Sequence, residues 1–272
     1  MERRLIDVSK HQGRIDWAKV KGNIDGAIIR CGYGKDIVSQ DDERFVENVE
    51  ACIKYGIPFG VYLYSYAKTV SDAKSEANHV LRLLAPYKGK LSYPVYYDLE
   101  EAGTEKGAVE RAIVFGDIIE ANGYWCGIYA NQYWWRTYLK NGLDRFTKWV
   151  AKYSSIKPSG ISGTYDIWQY SSKGSVAGIS GRVDMNICYR DFPAEINGKK
   201  VTETSKYYDK YTGSSGRIDE VFKAIGVPSA YIGNWRNRKA VAKANGITAY
   251  VGTGAQNMKL INLAKQGKLV KV

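Results

Sequence analysis

The sequence predicts an α/β chain: an irregular (β/α) barrel of about eight strands with few late helices, followed by a small all-α domain. Three observations predict it. Strand-like and helix-like segments alternate through the first half of the chain. Three strand-like segments then follow one another with hardly a helix between them. Finally, the charge is divided: residues 1–198 hold 26 Lys and Arg against 24 Asp and Glu, whereas 199–272 hold 14 against 4. A net charge of +2 on the first stretch and +10 on the second marks a separate basic module. With 272 residues and 44% apolar content, the chain can fill one large core and a small one.

Taken in order, 4–8 reads as a short strand and 16–20 as a short helix with Trp17 and Val20 inward. The apolar run 26–30 suits a strand covered on both faces. Over 42–55, Phe45, Val49, Cys52 and Ile53 share one helical stripe. The strand 58–66 places Tyr62, Tyr64 and Tyr66 on one face. Over 71–84 the pattern is helical, with Ser71 as N-cap and Ala73, Ala77, Val80, Leu81 and Leu84 inward. His79 falls off that stripe and is expected at the surface. A strand at 94–100, a helix at 104–121, a strand at 125–130 and a short aromatic helix at 133–139 follow, then strands near 147–152, 165–170 and 183–188. Such alternation predicts a parallel sheet.

The stretch Tyr93-Pro94-Val95-Tyr96-Tyr97-Asp98-Leu99-Glu100-Glu101 is the centre of the functional reading. Side chains alternate along a strand, so Asp98 and Glu100 share a face, with carboxyl carbons roughly 6–7 Å apart. In a barrel of this kind, reactive groups gather at the carboxyl ends of the strands. Those ends here carry Asp7, Arg30, Tyr62, Tyr64, Asp98, Glu100, Tyr129, Gln169 and Asp184. Four carboxylates from three strands on one rim repel, so one of them should hold a proton near neutral pH, as general acid work requires. His11 lies near Asp7, but with two histidines in the chain and no matching nucleophile motif, Ser/His and metal chemistry are not indicated.

The motifs Ile6-Asp7-Val8-Ser9-Lys10-His11-Gln12-Gly13, Asp98-Leu99-Glu100, Ile167-Trp168-Gln169-Tyr170-Ser171 and Val183-Asp184-Met185-Asn186 occur in an order and spacing that resemble the lysozymes of glycoside hydrolase family 25, found in phage endolysins and bacterial autolysins. The resemblance covers about residues 4–192; Leu5 stands where the family often has Gly. It implies cleavage of the β-1,4 bond between N-acetylmuramic acid and N-acetylglucosamine with retention. It also implies Glu100 as general acid and then base, Asp98 as its partner, and Asp7 and Asp184 completing the acidic pocket. A D-x-E pair on one strand is also familiar from substrate-assisted glycosidases, which depart from the two-carboxylate scheme. Asp98 would then orient or stabilise the acetamido nitrogen; direct attack by Asp98 or Asp7 stays open. Tyr62, Tyr64, Tyr129, Trp168 and Gln169 are expected to line the sugar groove. Arg30 would orient a site carboxylate or meet the lactyl acid. No cofactor or metal is expected. A non-catalytic glycan-binding protein on a hydrolase scaffold is the alternative, which the four intact acids disfavour.

The expected boundaries are a catalytic barrel over 1–195, a linker over 196–216 and a helical domain over 217–272. Polar and small residues, among them Lys199-Lys200, 202–205 and 213–216, mark the linker. Beyond it, Ile218, Val221, Phe222 and Ile225 recur at helical spacing; a second helix runs over 235–244 behind Asn234, and a third over 255–265 with Met258, Ile261 and Ala264 inward. This tail resembles small helical repeats that end cell-wall lysins, chiefly through Gly233-Asn234-Trp235 followed by a basic helix and Asn245-Gly246-Ile247. Its expected partner is peptidoglycan or an anionic wall polymer such as teichoic acid, with Trp235, Arg236, Arg238 and Lys239 at the contact. It carries no recognised nucleic-acid motif, so nucleic acid is not an expected partner. No apolar run approaches a membrane span. The start, Met1-Glu2-Arg3-Arg4, has no apolar segment of signal type, so synthesis in the cytoplasm and action on the wall after release are expected. Cys31, Cys52, Cys126 and Cys188 are widely spaced and read as buried free thiols.

Overall fold

Strand β1 (Arg3–Val8) is buried from Leu5 onward and pairs on both edges, which sets up the closure of the sheet. The computed structural model describes residues 2–198, 207–228 and 231–271. The chain forms two compact units, 1–198 and 199–272. In the first, β1 to β8 form a closed barrel in sequence order. The strands are β2 (Gly26–Tyr33), β3 (Phe59–Tyr64), β4 (Val95–Asp98), β5 (Cys126–Asn131), β6 (Thr147–Ala151), β7 (Ile167–Gly174) and β8 (Val183–Cys188). Between them run α1 (Trp17–Val20), α2 (Phe45–Tyr55), α3 (Val70–Leu84), α4 (Ala108–Ala121) and α5 (Gln132–Thr137), and α6 (Phe192–Gly198) follows β8.

Alternation along the strands separates two cores. Ile29, Val61, Leu63, Val95, Tyr97 and Ile128 face outward onto Phe45, Val49, Ala77, Val80, Ala112 and Phe115 of the helices. Inside the barrel, Leu5, Ile28, Tyr96, Tyr129, Trp149 and Ile167 pack together, and Phe192 of α6 joins them against Tyr93 and Trp125. These large rings need small neighbours. A Cβ on Gly127 would stand 2.3 Å from both Tyr96 and Thr147 side-chain atoms, so glycine alone fits that position.

The sheet is not wholly parallel. β8 runs antiparallel to both β7 and β1, because the short 175–182 connection can only make a hairpin. Asp184 therefore sits at the start of its strand, not the end, yet reaches the same rim. β4 ends at Asp98, so Glu100 lies just past the strand rather than on it. On α3 the N-cap is Thr69, in a capping box with Asp72, and not Ser71. Tyr66 lies beyond β3, exposed, with its ring against Tyr33 and Tyr64. Ile53 is on the exposed side of α2. His79 is fully buried, not superficial: Nδ1 meets the Gly34 carbonyl at 3.0 Å and Nε2 meets Asp41 at 2.7 Å. All four cysteines are buried and free.

The second unit contains α7 (Ile218–Ala224), α8 (Trp235–Ala244, capped by Asn234) and α9 (Gly254–Lys265). Its core joins Val221, Phe222, Val241, Leu260, Ile261 and Leu269. Tyr207 and Tyr208, expected in a linker, belong here: Tyr207 pairs with Val270 and Tyr208 is buried. The polar stretch at 199–206 lies outside the described residues. Met258 is about half exposed, Leu260 taking the inward place. Arg238 is buried too, donating to the Tyr250 hydroxyl and the Gly233 carbonyl, so it is not free to meet a ligand. Trp235 is partly buried against the core, with Lys239 4.7 Å and Arg236 5.4 Å from its ring centre. No helix among the described residues is long and apolar enough to cross a membrane.

Candidate active site

The carboxyl ends of the parallel strands and the start of β8 surround a pocket of about 230 Å³. Asp7, Arg30, Tyr62, Tyr64, Asp98, Glu100, Tyr129, Gln169 and Asp184 all line it. Trp168 does not. It lies one residue out of phase with Gln169, so its indole faces the other side of β7, donates to the Lys152 carbonyl at 2.9 Å and packs against Tyr170. His11 is at the pocket mouth, exposed.

Asp7 and Asp184 are direct partners in the β1–β8 ladder. Like charges placed opposite each other repel, and both groups are also buried. Burial, then Asp184, pushes the Asp7 carboxyl up to about 7, against opposing hydrogen bonds from Asn186 and Gln169. Those amides donate to Asp7 Oδ2 at 2.8 and 2.9 Å, and Gln169 also reaches Asp184 Oδ2 at 3.3 Å. Burial pushes Asp184 up to about 6.

Asp98 and Glu100 are set differently. Burial, followed by the charges of Glu100 and Asp7, holds Asp98 well above the usual carboxylate range, while Arg30 pulls it down. Asp98 Oδ1 is buried and has no hydrogen-bond partner among the described residues. Glu100 is raised by burial and then by Asp184, with Tyr129 opposing. The Tyr129 hydroxyl has one proton, which in this arrangement goes to Gln169 Oε1 at 2.8 Å. Arg30 donates from Nε to Asp42 at 2.7 Å. Tyr64 donates to Glu101 at 2.8 Å.

Several site residues are not singled out by the sequence reading. Asn186 holds Asp7 and in turn accepts from the Trp149 indole at 2.8 Å. Its signal was available, since it shares a strand face with Asp184 inside a quoted motif. Tyr153 donates to Gln169 Oε1 at 3.1 Å from the loop after β6, and Asp42 supports Arg30 from before α2. Neither sits in a motif.

Paired carboxylates with raised proton affinity, in an aromatic cleft at the rim of a closed barrel, define a glycoside hydrolase. Residues 6–179 match the model of glycosyl hydrolases family 25, and the chain belongs to that family. It is 30% identical over 209 residues to the uncharacterized protein YegX of Escherichia coli K12, covering 72% of this chain and 74% of that one. Among solved structures, the catalytic domain of endolysin ply40, from bacteriophage P40 of Listeria monocytogenes, aligns with a TM-score of 0.63 at 30% identity, over 73% of this chain and 98% of that one. The modular autolysin LytC of Streptococcus pneumoniae, solved with a synthetic peptidoglycan ligand, aligns with a TM-score of 0.60 at 32% identity over 69% of this chain. The match spans 47% of LytC, about half its length.

Proposed function

We propose that the chain hydrolyses the β-1,4 bond between N-acetylmuramic acid and N-acetylglucosamine in bacterial peptidoglycan, with retention, through the substrate's own acetamido group. The observation that carries this reading is the pairing of Glu100, whose proton affinity burial and Asp184 raise, with the buried Asp98 Oδ1, which has no hydrogen-bond partner among the described residues. A carboxylate oxygen with no protein donor is suited to accept the acetamido N–H. As Glu100 protonates the glycosidic oxygen, the acetamido carbonyl oxygen attacks the anomeric carbon and the leaving sugar departs. Asp98, raised by burial and its acidic neighbours but drawn towards the carboxylate by Arg30 and by the developing cation itself, stabilises the positive charge of the resulting cyclic intermediate. Glu100, now ionised, takes a proton from water attacking the same carbon from the vacated side; the bond from that carbon to the acetamido oxygen breaks, restoring the acetamido group, and two inversions give net retention. Asp7 and Asp184 supply a negative field for the oxocarbenium character of the transition state.

In this reading the protein is an endolysin, made in the cytoplasm and acting on the wall after release. The basic second unit holds it to the wall or to an anionic polymer such as teichoic acid. Trp235, Arg236 and Lys239 form the contact.

Digestion of purified walls followed by mass analysis tests the activity: new reducing ends should be N-acetylmuramic acid. Glu100→Gln should keep the fold and lose about 10²–10⁴-fold in rate, since the amide cannot donate to the leaving oxygen. New ends at N-acetylglucosamine, or a variant of near wild-type rate, would sink the reading. Walls de-N-acetylated at the muramic position should be cut far more slowly. Cleavage at the usual rate would put a carboxylate in the nucleophile's place.

A further inference from the structure

Arg30 is the guanidinium in the lining of an otherwise acidic cleft, and its own anchor lies outside that lining. Its side chain is 12% exposed, and Nε is committed to Asp42, whose side chain is fully buried. Both Nη groups carry no protein partner among the described residues, and Arg30 lines the cleft. Asp42 is held from three directions. Its own N–H donates to the Cys31 carbonyl at 2.9 Å, and its carboxylate accepts from the Lys10 and Arg44 N–H groups, each at 3.0 Å. It thereby ties the turn after Asp7 to Arg30 and to the start of α2. The strand also contributes: the β2–β3 register slips between Arg30 and Gly32, and an extra residue at such a point re-aims neighbouring side chains.

We propose that Asp42 is a positioning residue for the reaction: it fixes the Arg30 guanidinium in the cleft that Arg30 shares with Asp98, where the cation favours the carboxylate that accepts the acetamido N–H. This rests on the muramidase reading above. Burial and the charges of Glu100, from the loop after β4, and Asp7, from β1, work against ionisation of Asp98. Tyr62 and Tyr64 from β3, Tyr129 from β5, Asp184, Tyr153 and the exposed His11 line the same pocket. A carboxylate in such company needs a fixed cation, and a guanidinium on a flexible stem stays fixed only if something grips it. Without Asp42, Arg30 can swing towards solvent or another acid, and Asp98 takes up its proton at higher pH.

The test uses the full chain carrying Asp42→Asn, Arg30→Gln or both. The Asp98 carboxyl is followed by ¹³C NMR across a pH series and assigned with Asp98→Asn. Asp42→Asn should raise the Asp98 midpoint by about one pH unit. The acid limb of the wall-hydrolysis profile should move up by the same amount, with kcat at pH 5 down about ten-fold and KM changed less than two-fold. Arg30→Gln should give the same titration shift, and the double variant should be no worse than Arg30→Gln alone, because Asp42 acts through Arg30. An Asp42→Asn protein that keeps the wild-type Asp98 midpoint overturns the proposal, even if its melting temperature has dropped. So do single effects that multiply in the double variant. If Asp42→Asn does not fold, Arg30→Gln decides the matter, since an unmoved Asp98 midpoint there removes the cation's role. Should the wild type release no muropeptides, the muramidase reading fails, while the NMR titration still tests the Asp42–Arg30–Asp98 coupling.

Discussion

Asp7 and Asp184 show what a single pair of residues contributes to the behaviour of the barrel. Each is held above its ordinary carboxylate value, Asp7 at about 7 and Asp184 at about 6, so the folded protein binds protons there that the unfolded chain releases. For a raised acid the native state carries more protons between the two values, and stability falls as pH rises through that window. The thermal midpoint of the wild type should therefore fall as pH rises from 5 to 7.5. Asp184→Asn removes the opposing charge from Asp7 and should flatten that fall, which differential scanning calorimetry at several pH values checks. A variant with the wild-type slope would deny the coupling. The four acids were legible because a carboxylate at the end of an apolar strand is conspicuous. Asn186, Trp149 and Asp42 were not, because their partners lie 179, 37 and 12 residues away.

At the scale of elements, local pattern located the strands and helices, but pairing decided their direction. Nothing in 183–188 says whether that strand runs up or down; the eight-residue connection and the closure onto β1 decide it. The latch between α3 and the segment after β2 is equally non-local. His79 bridges the Gly34 carbonyl and Asp41, and Arg82 of the same helix also donates to Asp41. Periodicity put His79 off the apolar stripe because it counts polarity, whereas this side is buried through hydrogen bonds. His79→Ala should cost about 2–4 kcal/mol, from the cavity and the two lost hydrogen bonds. Urea unfolding should show a lower midpoint at unchanged slope; a loss below about 0.5 kcal/mol would mean the latch is idle.

At the scale of the molecule, the two units have separate cores, and every proposed catalytic residue lies in the first. A 1–198 fragment should fold alone and cleave soluble glycan chains at close to the full rate. On whole walls it should be slower, having lost the attachment that raises local concentration. The full chain should hold to walls more weakly as salt screens the +10 tail, and the fragment should show far less of that dependence. Pull-downs on walls with and without teichoic acid over a salt series measure this. Equal retention of fragment and full chain at low salt would remove the wall-binding role from the tail.

By itself the sequence determined what short-range physics can write: the alternation of strands and helices, the charge step near residue 198, and the acidic strand ends. These follow from side-chain periodicity and composition, which act over a few residues. Only the tertiary structure decided the antiparallel return of β8, the turning of Arg238 into the tail's core, and the grip of Asp42 on Arg30. Each depends on which groups packing brings within hydrogen-bonding reach, barrel closure in the first unit and the helical core in the second, and not on side-chain periodicity.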